Sequence, residues 1–91
     1  MSFTRHALIR MQQRGIRANV VEDLLDYGRV AHDHHGAQIV YFDKAARQRI
    51  TREKGDDGLR RLGRRLHAYL VMDTAGEVLT VGHRTRRIHR N

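Results

Sequence analysis

Leu66-His67-Ala68-Tyr69-Leu70-Val71-Met72-Asp73-Thr74-Ala75-Gly76-Glu77-Val78-Leu79-Thr80-Val81-Gly82-His83 is the stretch whose reading decides the fold. Apolar and β-branched residues run on both sides of Asp73-Thr74-Ala75-Gly76, so the stretch reads as two strands, 66–73 and 77–83, joined by a tight turn. With Gly76 in the left-handed position of a three-residue loop, Asp73 pairs with Glu77. That register sets His67 opposite His83, Tyr69 opposite Val81 and Val71 opposite Leu79. It turns Ala68, Leu70, Met72, Val78, Thr80 and Gly82 to the other face. A four-residue loop instead shifts the partner by one and sets Gly82 opposite His67.

The rest of the chain is read outward from this hairpin. After it comes a basic tail, Arg84-Thr85-Arg86-Arg87-Ile88-His89-Arg90. At the other end, Thr4 is suited to cap a helix over about 4–14, with Ala7, Leu8 and Met11 as its apolar side and Gly15 as its stop. Ile16 then folds back on Met11. His6, Arg10, Gln13 and Arg14 share the other side as a polar, largely basic stripe. Asn19 with Glu22 forms a capping-box pattern for a second helix, about 19–27, buried through Val20, Val21, Leu24 and Leu25 and ended by Gly28. The short link predicts an antiparallel helix pair.

Residues 29–34 and 37–42 read as two strands turning at His35-Gly36, and Asp43 caps a helix over about 43–54 with Ala45, Ala46 and Ile50 as a thin apolar stripe. Gly55-Asp56-Asp57-Gly58 reads as a loop and Leu59 to Arg65 as an Arg-rich lead-in to the hairpin. The resulting order predicts an α+β fold. Two N-terminal helices pack on an antiparallel sheet of about four strands, with one further surface helix inserted between the strand pairs.

Ninety-one residues suit one small basic domain, 1–91, with a thin core. Lysine and arginine number 18 against 10 aspartates and glutamates, a net charge of +8, and all the cations but Lys44 and Lys54 are arginines. Arginine pairs bidentately with phosphate and stacks on bases, so this excess points to a nucleic-acid partner; an acidic protein partner or a plainly solvated basic surface meets the charge as well. Cysteine is absent, which excludes disulfide and thiolate chemistry, and no apolar run approaches a membrane span. The expectation is a cytoplasmic protein with no membrane partner. P-loop, dinucleotide, nucleophile-elbow and zinc-protease motifs are absent from the sequence.

Phe3-Thr4-Arg5-His6-Ala7, followed by Arg10 and Arg14-Gly15-Ile16, resembles the opening signature of a bacterial family described only as a domain of unknown function. Val78-Leu79-Thr80-Val81-Gly82-His83-Arg84, followed by Arg87-Ile88, resembles its closing strand and tail. That family is similar in layout to the BrnT and RelE toxins, within the group of barnase-like ribonuclease folds. The resemblance implies a metal-independent endoribonuclease, often the toxin of a toxin-antitoxin pair, with no cofactor, with RNA as substrate and with an acidic antitoxin protein as partner. The motif residues carried over are His6, Arg10, Arg14, His83, Arg84 and Arg87. The segment from Asp43 to Arg65 is longer and more basic than a compact toxin of this group needs.

Metal-free RNA cleavage requires a base for the 2′-hydroxyl, an acid for the leaving 5′-oxygen and cations for the phosphorane. Histidine titrates near neutrality and suits both proton roles. His67 and His83 are candidates on the register above, with His6 as a substitute for either and Arg84 as a charge stabiliser. Arg10, Arg14, Tyr69, Arg86, Arg87 and Arg90 are candidate RNA contacts. A histidine near a helix start is otherwise a packing residue, and Tyr69 is otherwise a sheet-packing residue. His32-Asp33-His34-His35 carries metal-ligand residue types, but no second ligand cluster stands at a defined spacing, and polar residues beside Gly36 are ordinary turn chemistry. A non-catalytic RNA- or ribosome-binding module would use the same basic face, and in an interaction domain of a mobile element the charge would serve an acidic partner.

Overall fold

The computed structural model describes residues 2–33 and 35–84. Its two hairpins are built on one local device. In Asp33-His34-His35-Gly36-Ala37 the Asp33 carboxylate accepts from the backbone N–H of His35 and of Ala37, both at 2.8 Å. In Asp73-Thr74-Ala75-Gly76-Glu77 the Asp73 carboxylate accepts from Ala75 (3.0 Å) and Glu77 (2.9 Å). Gly36 and Gly76 take φ of 84° and 85°, the left-handed region that a side chain resists. The Gly76 turn is the one its sequence predicts, closed by Asp73 N–H to Glu77 O at 3.0 Å.

These turns organise β2 (Arg29–His32) with β3 (Gln38–Tyr41), and β4 (Ala68–Met72) with β5 (Glu77–His83). A further short strand, β1 (Ser2–Phe3), pairs parallel with β5, giving five strands in the order β1-β5-β4-β3-β2. The α+β architecture is as expected, with the N-terminal helices packed on the sheet; the sheet itself is mixed and has five strands, not an antiparallel four. Two residues are too few to show an alternating pattern, which is why β1 has no signature in the sequence.

α1 (Arg5–Arg14) begins at Thr4, whose hydroxyl accepts from Ala7 N–H at 3.1 Å. It ends at Gly15 (φ 63°), where Ile16 N–H returns to Met11 O at 2.9 Å and closes a Schellman ending. α1 lies along β5. Ala7 is fully buried, whereas Leu8 is 54% exposed, so Leu8 belongs to the solvent side of this helix. α2 (Ala18–Tyr27) starts at Arg17, and its Asn19 lies inside the helix and makes no cap. Val20, Val21 and Leu24 are buried, and Leu25 faces out at 39%. Gly28 ends α2 with an ordinary φ of −66°; a Cβ there would run into Leu24 O and Val40 Cγ1, so the glycine is needed for close approach of the helix to β3.

α3 (Lys44–Leu62) is capped by Asp43, whose carboxylate accepts from Ala46 N–H at 2.8 Å. Ala46 and Ile50 are its buried residues, and Ala45 is exposed. The expected loop at 55–58 is a kink instead: Gly55 alone is non-helical (φ 75°, ψ 177°), and the helix resumes through Leu62. Asp56 and Asp57 favour a new helix start by their charge, Arg60 pairs with Asp57 at 3.1 Å, and Leu59 and Leu62 pack partly against the core. A 3-10 turn, Gly63–His67, then delivers the chain to β4, which begins at Ala68 and not at Leu66.

The core holds Val20, Val21 and Leu24 of α2, Ala46 and Ile50 of α3, and Val40, Phe42, Ala68, Leu70, Val78 and Val81 of the sheet. Strand residues alternate faces, so Tyr41, Tyr69 and Gly82 point away from this helix-covered side. Among the described residues no helix is long and apolar enough to cross a membrane.

Candidate functional site

The hairpin register departs from expectation by one residue. Val71 pairs with Thr80 but Met72 with Val78, so Leu79 is an extra residue, a β-bulge in β5. Beyond the bulge, Ala68 stands opposite His83, Tyr69 opposite Gly82 and Leu70 opposite Val81. The expected cross-strand pairs of His67 with His83, Tyr69 with Val81 and Val71 with Leu79 do not form. The two histidines nonetheless share a site. The bond from Arg84 N–H to His67 O (2.8 Å) continues the ladder one step, and a cleft of about 300 Å³ at this end of the hairpin is lined by Arg64, His67, His83 and Arg84. Both imidazoles are exposed.

Beside the cleft, one row of residues crosses four strands on the face opposite the helices: Arg29 of β2, Tyr41 of β3, Tyr69 of β4 and Gly82 of β5. Arg84 lies over the Tyr41 ring, 5.3 Å from guanidinium carbon to centroid, and its Nη2 donates to Phe42 O at 3.0 Å. Burial lowers its pKa first and the nearby Arg47 charge second, yet an arginine keeps its proton under any such shift. Arg29 reaches Asp43 at 3.7 Å. Tyr41 is buried, and its hydroxyl has no partner among the described residues. At the far end of the row, Arg14 Nη1 donates to Val81 O at 3.1 Å and fills the space where a Gly82 side chain would stand, with Tyr69 Oη 3.0 Å from that point.

His6 is not part of the cleft lining. Thr4 N–H donates to Val78 O (2.9 Å) and the Thr4 hydroxyl to Leu79 O (3.0 Å), which ties the start of α1 to the turn end of β5. His83 lies four residues further along the strand, roughly 13 Å away. Arg10 instead sits beside His6, with Nε 3.4 Å from His6 Nε2. Arg86, Arg87 and Arg90 lie outside the described residues, as does His34 of the His32 to His35 cluster. Among the described residues no group of three metal-ligating side chains converges.

Tyr41, Arg29 and Arg64 join the site without having been singled out in the sequence. Tyr41 had a legible signal: it alternates with Val40 and Phe42, so it must face away from whatever buries them. A larger cleft, about 620 Å³ between α2 and α3, mixes Asp23 and Asp57 with Lys54, Arg61 and Arg65. Its Lys54 is already held by Asp23 at 3.3 Å and stands over Tyr27. The smaller cleft has the chemistry, since it gathers two imidazoles and two guanidinia.

Residues 3–83 match the model of the family described as "Domain of unknown function (DUF4258)". No curated protein and no solved structure matches the chain.

Proposed function

This chain belongs to the DUF4258 family, and from that premise we propose that it is a small metal-independent endoribonuclease, the toxin of a toxin-antitoxin pair in the manner of BrnT and RelE. The observation that carries the reading is the cleft in which His67 and His83 meet Arg64 and Arg84. One imidazole, neutral, takes the proton of the ribose 2′-hydroxyl. The freed oxygen attacks the adjacent phosphorus, and the bond from phosphorus to the 5′-oxygen breaks. The second imidazole, protonated, gives its proton to that leaving oxygen, so the products are a 2′,3′-cyclic phosphate and a 5′-hydroxyl. Arg64 and Arg84 offset the charge of the phosphorane. The row of Arg29, Tyr69 and Arg14 supports the strand on either side, through phosphate contacts and base stacking, and no metal or cofactor takes part. Such a toxin works in the cytoplasm, with an acidic antitoxin as its inhibitor.

The test is a gel of total RNA incubated with the protein in the presence of a chelator. Wild type cuts; His83→Ala and His67→Ala abolish cutting while RNA binding survives. Intact RNA at high protein concentration defeats the proposal.

A second reading has its own support. Arg14 and Arg84 each donate to a backbone carbonyl, which makes them parts of the fold as well as cations. A non-catalytic RNA- or ribosome-binding module would use the same face. It would bind with a steep salt dependence, tolerate the histidine substitutions and cut nothing.

A further inference from the structure

The two edges of the sheet are treated differently. On the β5 side, β1 pairs with Glu77 and Val78, Thr4 bonds Val78 O and Leu79 O, and Arg14 bonds Val81 O. That edge is sealed along most of its length. On the β2 side the register is Arg29 with Tyr41, Val30 with Val40, Ala31 with Ile39 and His32 with Gln38. Asp33 N–H donates to Ala37 O, one step beyond this ladder. In an antiparallel pair, bonding and non-bonding residues alternate, so Arg29, Ala31 and Asp33 direct their backbone groups to β3. Val30 and His32 therefore turn their N–H and C=O outward, and among the described residues no loop, helix or side chain bonds them.

An edge with free backbone groups recruits another strand unless charge, proline or a bulge blunts it. β2 has no proline and no bulge, and its one arginine, Arg29, stands at its first position and is paired with Asp43. Its Val30 side chain lies on the helix-covered face, since it pairs with Val40, and is 44% exposed where a core-side valine is ordinarily covered. The surroundings specify the visitor. Arg29 flanks Val30 on the strand, is half exposed on its side chain and reaches Asp43 at 3.7 Å, and the Arg49 guanidinium donates to Tyr27 O just before the strand. With +8 on each chain, a second copy is repelled, whereas an acidic segment is attracted.

We infer that β2 is a docking strand for an extended acidic segment of a partner protein, which adds to the sheet beyond β2 through the backbone groups of Val30 and His32. Side-chain alternation gives the segment its pattern: an apolar residue beside Val30 on the helix side, and an acidic residue beside Arg29 on the open face. The segment docks away from the His67 and His83 cleft, so this inference does not depend on RNA cleavage and stands or falls apart from it.

The experiment uses the full chain, isotopically labelled, titrated with a synthetic eight-residue peptide of alternating valine and glutamate. The same peptide with its two central residues replaced by proline serves as the control. The expected result is binding by the first peptide alone, with the amide signals of Val30 and His32 shifted most and their hydrogen exchange slowed. Val30→Pro removes one outward donor and leaves the β3 ladder intact, because that N–H is not part of it. It weakens peptide binding by about tenfold or more with the melting temperature nearly unchanged. Val30→Asp, which replaces the apolar contact with a charge that repels the peptide glutamates, provides the same readout should the proline variant not fold. The inference is overturned by no binding at millimolar peptide, by shifts centred on another element, by equal binding of the proline peptide, by undiminished binding to folded Val30→Pro or Val30→Asp, or by a β2-mediated homodimer that excludes the peptide.

Discussion

Arg14 occupies the place of the side chain that Gly82 lacks. The guanidinium of the last residue of α1 reaches past the edge of β5, donates to Val81 O, and rests over Gly82 beside the Tyr69 hydroxyl. A glycine inside a strand weakens it, and here the loss is offset by a contact that joins helix, edge and open face.

Gly82→Ala should therefore cost about 1–3 kcal/mol by overpacking, and Arg14→Ala about 1 kcal/mol. The two effects share one space, so Gly82→Ala should cost less in the Arg14→Ala background. Urea unfolding of the four proteins measures this. Equal costs in both backgrounds would assign the clash to Tyr69 alone.

Tyr41 buries its hydroxyl without a partner among the described residues, while Arg84 covers its ring. Removing a buried, unbonded hydroxyl relieves a desolvation cost, so Tyr41→Phe should leave stability unchanged or raise it by up to about 1 kcal/mol. A loss of more than that in thermal unfolding would show that the hydroxyl is bonded in solution.

Asp33 and Asp73 hold the two hairpin turns by the same pair of backbone bonds. Asp73→Ala should cost about 1–2 kcal/mol, and Asp73→Asn much less, because the amide oxygen still accepts. Gly76→Ala should cost about 1 kcal/mol through its left-handed backbone. Chemical denaturation of the three variants tests the ranking; an Asn variant as weak as the Ala variant contradicts it.

Lys54 of α3 bonds Asp23 of α2 at 3.3 Å, and that bond, followed by the Asp23 charge, raises the lysine pKa above its ordinary value. A raised folded pKa means the protonated form is favoured by folding. Its contribution is present below the ordinary lysine pKa and is lost as pH rises through the raised value. The lysine end of the pair is half exposed, so the effect is small and weakens with salt. Melting curves recorded into the alkaline range should show a slightly steeper decline for wild type than for Asp23→Asn. Parallel curves would sink this assignment.

RNA binding, if it runs through the basic face, should fall linearly in log affinity with log salt, and Arg84→Ala and Arg14→Ala should each lower the slope by about one. Filter binding across a salt series reads this directly. An unchanged slope in both variants would move the phosphate contacts elsewhere.

The local devices of this protein are written where they act. Thr4, Asp43 and Gly15 end or begin helices because one side chain, or one missing Cβ, meets the unpaired backbone of a single turn. Asp73 with Gly76 closes its hairpin for the same reason, and the same pair of residue types recurs at Asp33 and Gly36. Alternation of apolar residues was enough to predict an α+β layout with helices on the sheet. The candidate site was only partly legible: His67, His83 and Arg84 do share a cleft, but not through the pairing that the turn alone implied.

What tertiary structure alone decided is whatever depends on neighbours distant in the chain. Val78, Leu79, Thr80 and Val81 all suit a strand, and no local preference says that Leu79 is the one to bulge; packing of Val78 and Val81 into the same core chooses it. That single extra residue moves His83 from opposite His67 to opposite Ala68 and brings Tyr69 over Gly82. β1 is too short to announce itself and exists because β5 offers it an edge. The kink at Gly55 replaces a loop because Leu59 and Leu62 gain burial by continuing the helix. Sequence by itself determined the caps at Thr4 and Asp43, the stop at Gly15 and the Asp-Gly hairpin turns, which rest on contacts within a few residues. The register and the edges were set by contacts that only the folded chain can make.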